Sequence, residues 1–188
     1  MDQHGLVVRA REGDRHAFAD LVRASGARLD ATARLILRDP DLAQDAVQET
    51  LIRAWRSLPG LRDPATFDHW LHSLVAHACI DLGRKRRRRV IEVELTPIHD
   101  APMLDGAAAI ADRDQLDRVL ARLDPEARAV VVLHFYLDVP LPRVANMLDI
   151  PIGTAKSRLH RSLGLMRSAL AIEDVTSPPL PALGGPAT

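Results

Sequence analysis

Residues 141–166 read LPRVANMLDIPIGTAKSRLHRSLGLM, and this stretch decides the fold of the second half of the chain. The apolar residues at its start are spaced as on one face of a short helix. Asp149-Ile150-Pro151 then predicts a tight turn, and a longer helix begins at about Ile152. Two helices joined in this way are typical of a helix-turn-helix.

The predicted second helix has two faces of different chemistry. On a helical wheel the core-facing arc consists of Ala155, Leu159, Leu163 and Met166. The opposite side consists of Gly153, Ser157, His160, Arg161 and Gly164, flanked by Thr154 and Lys156. This outer face is rich in hydrogen-bond donors and carries no acid, as a helix in the major groove requires. A solvated helix face is the alternative, and the preceding short helix and turn favour DNA binding.

The first half of the chain also predicts helices. Asp14 is a plausible N-cap, Asp39-Pro40 predicts a break, and Asp41 is expected to cap the next helix, which ends at Pro59-Gly60. A further amphipathic helix starts near residues 63–66 and runs directly into a basic run at 84–89. We therefore expect an antiparallel helical domain over residues 1–90.

The rest of the chain divides by composition. Residues 91–111 show no sustained hydrophobic periodicity and contain Thr-Pro, Ala-Pro and Asp-Gly pairs, which predicts a linker. Helices resume over residues 112–172, and the Pro- and Gly-rich tail 173–188 is expected to be disordered. The predicted fold class is all-α, with two small helical domains joined by a flexible linker. Aromatic residues at only 3% argue against an all-β sandwich.

Charge is segregated although the formal net charge is zero. The six residues 84–89 are all basic, residues 92–126 carry a net charge of −6, and residues 140–172 carry +4. Two basic zones around an acidic middle suggest two separate contacts with a polyanion. The basic run by itself is also compatible with a solvated segment or a localisation signal, but it ends an amphipathic helix, which favours a role in tracking a nucleic-acid backbone.

Other classes of protein find little support. The single Cys79 excludes an internal disulfide and points to a reducing compartment, so we expect the cytoplasm. No apolar run is long enough to insert in a membrane, and no phosphate-binding loop or nucleophile–base pair stands out. His69 and His72 lie one helical turn apart, but no further ligand completes a metal site nearby. We expect no enzyme activity, no metal and no cofactor.

Four strings resemble extracytoplasmic-function (ECF) sigma factors of the sigma-70 family. Residues 45–56, DAVQETLIRAWR, resemble part of conserved region 2, and Phe67-x-x-Trp70-Leu71 followed by Ile80-Asp81-Leu82 and the basic run resembles the next part. Leu123-x-Pro125-x-x-Arg128 and residues 150–161 resemble region 4. The resemblance covers roughly residues 5–172, without the linker.

The resemblance implies a transcription-initiation factor for bacterial RNA polymerase that binds promoter DNA. Docking on the β′ clamp helices would use Asp45, Gln48, Glu49, Leu51, Ile52 and Trp55, although Trp55 also fits plain core packing. Opening and reading of the −10 element would use His77, Asp81, Arg84, Lys85, Arg86, Arg87 and Arg88. Reading of the −35 element would use Arg143, Thr154, Lys156, Ser157, Arg158, His160 and Arg161. Further implied partners are the polymerase β flap and an anti-sigma factor.

Three positions depart from the family pattern. His77 stands where members often carry Asn, Arg143 where many carry an acid, and Asp149 where the turn often has Gly. An imidazole cannot reproduce the bidentate contact of an amide. A position suited to Gly usually has left-handed backbone, which Asp tolerates better than most residues.

Two other functions remain to be weighed. A helix-turn-helix repressor or activator that is not a polymerase subunit would explain residues 112–172, but not residues 45–56 or the basic run. An adaptor that binds polymerase without DNA would not need the donor-rich face of the predicted recognition helix.

Overall fold

The computed structural model describes the backbone of residues 2–93 and 118–176 and the side chains of residues 2–88 and 118–168. The predicted linker therefore lies almost entirely outside the described residues. The first domain contains α1 (Gln3–Arg11), α2 (Arg15–Leu37), α3 (Pro40–Ser57) and α4 (Phe67–Val93), with 3-10 turns at Leu58–Gly60 and Pro64–Thr66. The second contains a short helical segment at 118–121, α5 (Pro125–Val131), a π-helical turn (Val132–Tyr136), α6 (Leu141–Met147) and α7 (Ile152–Thr176). No strand occurs in these ranges, which confirms the all-α fold class.

Aspartates cap most of the helices, since their carboxylates accept backbone N–H groups that have no partner within the helix. Asp14 accepts from the N–H groups of His16 and Ala17, as predicted. Asp124 accepts from Ala127, with Pro125 at the first helical position. The prediction that Asp41 caps α3 is wrong. The cap is Asp39, because Pro40 has no N–H to leave unpaired and fits the first turn.

Two helices continue past the predicted domain boundaries. Helix α4 runs to Val93, beyond residue 90, and α7 runs to Thr176, so the first residues of the predicted tail are helical. The sequence explains the extension of α7, since helix-forming alanine and leucine continue through residue 171 and the first proline is Pro178.

The first domain packs α2, α3 and α4 against one another over an apolar core that includes Leu21, Leu29, Ile36, Phe67, Leu71 and Val75. Cys79 lies in this core and is fully buried, and burial raises the pKa of its thiol to about 12. The core continues without interruption into the second domain, where Val130, Leu133 and Val144 belong to the same cluster. The two domains are therefore packed together in this structure.

Candidate nucleic-acid interface

The outer face of α7 is open to solvent as the sequence predicts. Lys156, Ser157, His160 and Arg161 are exposed, and Gly153 and Gly164 lie at the two ends of this surface. Ala155 is fully buried on the opposite side. This arrangement places two basic side chains, an imidazole and a hydroxyl on one convex ridge, with small residues that permit close approach.

The turn before α7 fixes how that ridge is presented. Asp149 adopts φ 50°, the left-handed conformation predicted for this position. The N–H of Ile150 donates to the carbonyl of Ala145 at 3.0 Å, and the N–H of Thr154 donates to the carbonyl of Pro151 at 2.9 Å. The turn is thus closed by backbone hydrogen bonds on both sides of Asp149.

The remaining predicted −35 residues have mixed surroundings. Arg143 is exposed on α6. Thr154 is half-buried, and its carbonyl accepts a hydrogen bond from the Ser157 hydroxyl at 3.0 Å. Arg158 is also half-buried, and its positive charge helps to lower the pKa of Glu126. Arg158 therefore belongs to the side of α7 that approaches α5 more than to the outer ridge.

The basic run lies along the last turns of α4, where Arg84, Lys85, Arg86, Arg87 and Arg88 are all exposed, as is Asp81. Two of these arginines already have carboxylate partners. Arg84 Nε donates to Glu126 Oε1 of the second domain at 2.5 Å, and Arg86 donates to Asp39 at the start of α3. Lys85, Arg87 and Arg88 form no ion pair with any residue whose side chain is described.

His77 does not face solvent like the basic run. Its Nδ1–H donates to the carbonyl of Ser73 at 2.9 Å, and its Nε2 lies 3.7 Å from Oδ2 of Asp149 in the second domain. Beside it, the Ser73 hydroxyl donates to the carbonyl of Met147 at 2.6 Å. His77, which is predicted to read the −10 element, therefore lies in the contact between α4 and the turn of the helix-turn-helix.

The predicted polymerase-docking residues divide into two groups on α3. Asp45, Gln48 and Ile52 are exposed, and Ile52 retains 53% of its accessible surface. Glu49 forms an ion pair with Arg53 of the same helix. Leu51 packs against the core, and half-buried Trp55 lies with its ring 5.1 Å from that of Phe18. Trp55 thus packs in part against Phe18, and the exposed surface of α3 is built around Ile52.

Sequence reasoning missed the residues that join the domains. Glu126, which pairs with Arg84 across the domains, carries no motif that marks it, and Asp39 pairs with Arg86 within the first domain. It also missed the exposure of Phe135 and Tyr136, at 58% and 44%, on the π-helical turn. The length of the apolar stretch 129–137 was the available signal, since a single short helix cannot bury every face.

The histidines of α4 show no sign of a metal centre. His72 is 7% exposed, its Nδ1–H donates to the carbonyl of Asp68 at 2.7 Å, and burial lowers its pKa. Over the side chains that the structure describes, no three His, Cys, Asp or Glu residues come together as metal ligands. None of the described helices combines the length and hydrophobicity of a membrane crossing.

Together, a basic helix-turn-helix and a helical domain with an arginine-rich helix define a two-domain DNA-binding protein. The family model for sigma-70 region 2 matches residues 21–89, and that for sigma-70 region 4 matches residues 113–166. The chain is 35% identical to the ECF RNA polymerase sigma factor SigM of Mycobacterium tuberculosis over 151 residues, 80% of this chain and 75% of SigM. It is 32% identical to the RNA polymerase sigma-E factor of Streptomyces coelicolor over 158 residues, 84% of this chain and 88% of that protein. The chain belongs to the ECF sigma factors of the sigma-70 family, and it serves RNA polymerase in the initiation of transcription.

Two solved structures resemble the fold. One is CnrH in complex with the cytosolic domain of CnrY, with a TM-score of 0.64 and 25% identity over 93% of this chain and 99% of that one. The other is the sigma factor RpoE of Bartonella quintana in complex with the anti-sigma factor NepR, with a TM-score of 0.69 and 22% identity over 83% and 98% of the chains.

Proposed function

We propose that this sigma factor directs core RNA polymerase to promoters whose −35 element is read by the outer ridge of α7. The observation that supports this most is the exposure of Lys156, Ser157, His160 and Arg161 on one acid-free face. Arg161 forms a bidentate contact with a guanine, and Lys156 contacts phosphate. A bidentate arginine–guanine pair is worth about 1–3 kcal/mol of discrimination, so Arg161 dominates selectivity.

The −10 element is opened and held by α4. Lys85, Arg87 and Arg88 have no carboxylate partner among the described side chains, so they contact the backbone of the separated strand directly. Arg84 and His77 reach DNA only after the second domain has moved, since each faces an acidic side chain of that domain. Promoter binding and the packed arrangement of the two domains therefore compete for the same side chains.

The polymerase contacts follow from the exposed apolar residues. Ile52, with Asp45 and Gln48 beside it, docks on the β′ clamp helices. Phe135 and Tyr136 offer a second exposed apolar surface, on the domain that the β flap contacts. An isolated exposed apolar cluster rimmed by polar groups is typical of a protein contact. The protein acts in the cytoplasm, has no catalytic activity of its own, and is held inactive by an anti-sigma factor. RpoE, which has a similar fold, is bound by the anti-sigma factor NepR, which supports this last part of the proposal.

Run-off transcription tests the proposal. Core polymerase with this protein and a pool of promoter fragments yields new start sites, which a His160→Ala, Arg161→Ala double variant loses. An Arg15→Ala, His16→Ala double variant is the matched control, because it removes the same residue types from an exposed part of α2. No new starts, together with a shift of duplex DNA by the protein alone, would instead support a repressor-like regulator.

A further inference from the structure

A cleft of about 500 Å³ separates the end of α4 from the start of the second domain. Four arginines line it: Arg86 and Arg87 from α4, and Arg122 and Arg128 from the second domain. Asp124 is the carboxylate among its lining residues, and one of its oxygens already accepts the N–H of Ala127 as the cap of α5. The volume lies within the range of small-molecule sites, about 300–1,000 Å³.

Arg128 is the unusual member of this cluster. It is 9% exposed, its Nε has no hydrogen-bond partner, and its guanidinium forms no ion pair with any described side chain. Burial, together with the positive charges of Arg38 and Arg86, lowers its pKa to about 10, and Asp124 and Glu126 offset only part of this. A buried guanidinium without a fixed carboxylate is unfavourable unless another anion completes the site.

The two acids next to the cleft already have arginine partners, one of which is Arg86 of the cleft itself. Asp39 pairs with Arg86 and caps α3, and Glu126 pairs with Arg84. Arg87 and Arg122 are exposed and have no carboxylate partner in the part of the chain with described side chains. Guanidinium groups bind phosphate oxygens in pairs of parallel hydrogen bonds, so an anion with several phosphate groups can engage arginines on both walls together.

We propose that this cleft binds a polyphosphate anion, inorganic or as part of a nucleotide, between Arg86 and Arg87 of α4 and Arg122 and Arg128 of the second domain. The bound anion holds the domains together and thereby keeps Arg84 and His77 away from DNA. This site is separate from the outer ridge of α7, shares Arg87 with the proposed −10 contact, and goes beyond the proposed promoter function because it binds a free anion between the domains. DNA backbone phosphates share the same chemistry, and the experiment distinguishes the two sources.

Calorimetry and thermal unfolding of the full chain with sodium tripolyphosphate test the proposal, against sodium chloride of equal ionic strength. At ten times Kd, tripolyphosphate should raise the Tm by about 3 °C. An Arg87→Gln, Arg122→Gln double variant, which changes only exposed side chains, should bind about tenfold more weakly. An Arg15→Gln, Arg62→Gln double variant removes two exposed arginines outside the cleft and should bind as the wild type does.

The source of the phosphate is tested with a short single-stranded oligonucleotide. Tripolyphosphate should lower the radius of gyration of the free chain in small-angle X-ray scattering, and the oligonucleotide should not. Equal binding of tripolyphosphate by both double variants, or an effect no larger than that of sodium chloride, would overturn the proposal. Compaction by the oligonucleotide alone would also overturn it and assign the cleft to the DNA backbone. None of these readouts uses transcription, so the proposed promoter function stands or fails independently.

Discussion

His77 and Asp149, two of the positions that depart from the ECF pattern, lie in contact across the domain interface, with His77 Nε2 3.7 Å from Asp149 Oδ2. His77 belongs to the first domain, where the resemblance places a −10 base reader. Asp149 belongs to the helix-turn-helix and has φ 50°. The Asp149 side chain is 88% exposed, so the contact places the two residues beside each other and leaves the backbone conformation as the main energetic feature of the turn.

Substitutions at Asp149 separate the backbone effect from the charge effect. Glycine adopts left-handed backbone without the steric cost, so Asp149→Gly should stabilise the chain by about 1 kcal/mol. Asn tolerates left-handed backbone as Asp does but carries no charge, so Asp149→Asn should change the stability by less than about 0.5 kcal/mol. Asp149→Ala should destabilise by about 1 kcal/mol. Unfolding in guanidinium chloride measures the free energy of unfolding of the three variants. Equal stability of the Gly and Ala variants would contradict the left-handed backbone at Asp149.

Gly83 of α4 lies directly against Pro125 of α5. A Cβ at this position would lie 2.6 Å from Pro125 Cγ, so no other residue fits while the domains remain packed. We expect Gly83→Ala to separate the domains and raise the radius of gyration, since the proline ring is held by the capped start of α5. The matched control is Gly26→Ala in α2, where an added Cβ meets nothing within 4 Å.

Both glycine variants gain intrinsic helix propensity, about 1 kcal/mol at an exposed position. Gly26→Ala should therefore be at least as stable as the wild type and equally compact. In Gly83→Ala the gain should be cancelled, because the added Cβ forces the second domain away from α4. The affinity of this variant for single-stranded DNA should rise, because Arg84 and His77 are released. Identical scattering curves for the two variants would show that the domains are not packed this way in solution.

The local features were predictable from the sequence and the contact between the domains was not. The outer ridge of α7 and the cap Asp14 follow from periodicity and side-chain chemistry within a few residues, and the left-handed Asp149 follows from the resemblance to the family. The pair Arg84–Glu126 joins residues 42 positions apart. The sequence of a basic run is the same whether its side chains are solvated or ion-paired, so it does not predict this pair. The apolar stretch 129–137 indicates that some of its residues are exposed, but the π-helical turn decides that these are Phe135 and Tyr136.

The Arg84–Glu126 pair makes the packed arrangement sensitive to acid. Burial alone would raise the pKa of Glu126, but the hydrogen bond and charge of Arg84 hold it below its ordinary value of 4.5. A depressed carboxylate pKa contributes stability above the unfolded value, and this contribution is lost as the pH falls through the folded value. The packed arrangement should therefore loosen below a pH of about 4.5.

Glu126→Gln tests the direction of this pH dependence. At pH 7 the variant should weaken the domain contact by about 1 kcal/mol, because a neutral amide replaces the charge that faces Arg84. The difference in radius of gyration between variant and wild type should begin to shrink as the pH falls below about 4.5 and should vanish once the pH is below the lowered pKa of Glu126, since the wild-type carboxyl is then neutral too. Glu49→Gln removes an ion-paired glutamate within α3 and should leave the domain separation unchanged at every pH.

Ile52 offers a test of polymerase docking that leaves the fold intact. Its side chain is 53% exposed on α3, so Ile52→Ala removes little buried surface and should leave the Tm within about 1 °C of the wild type. If Ile52 is the apolar anchor on core polymerase, the truncation should cost about 1.4 kcal/mol, or tenfold in Kd, in a competition assay. Val8→Ala, at 36% exposed on α1, is the matched control and should compete like the wild type. Equal affinities for the two variants would move the docking surface away from α3, and Phe135 would then be the next residue to truncate.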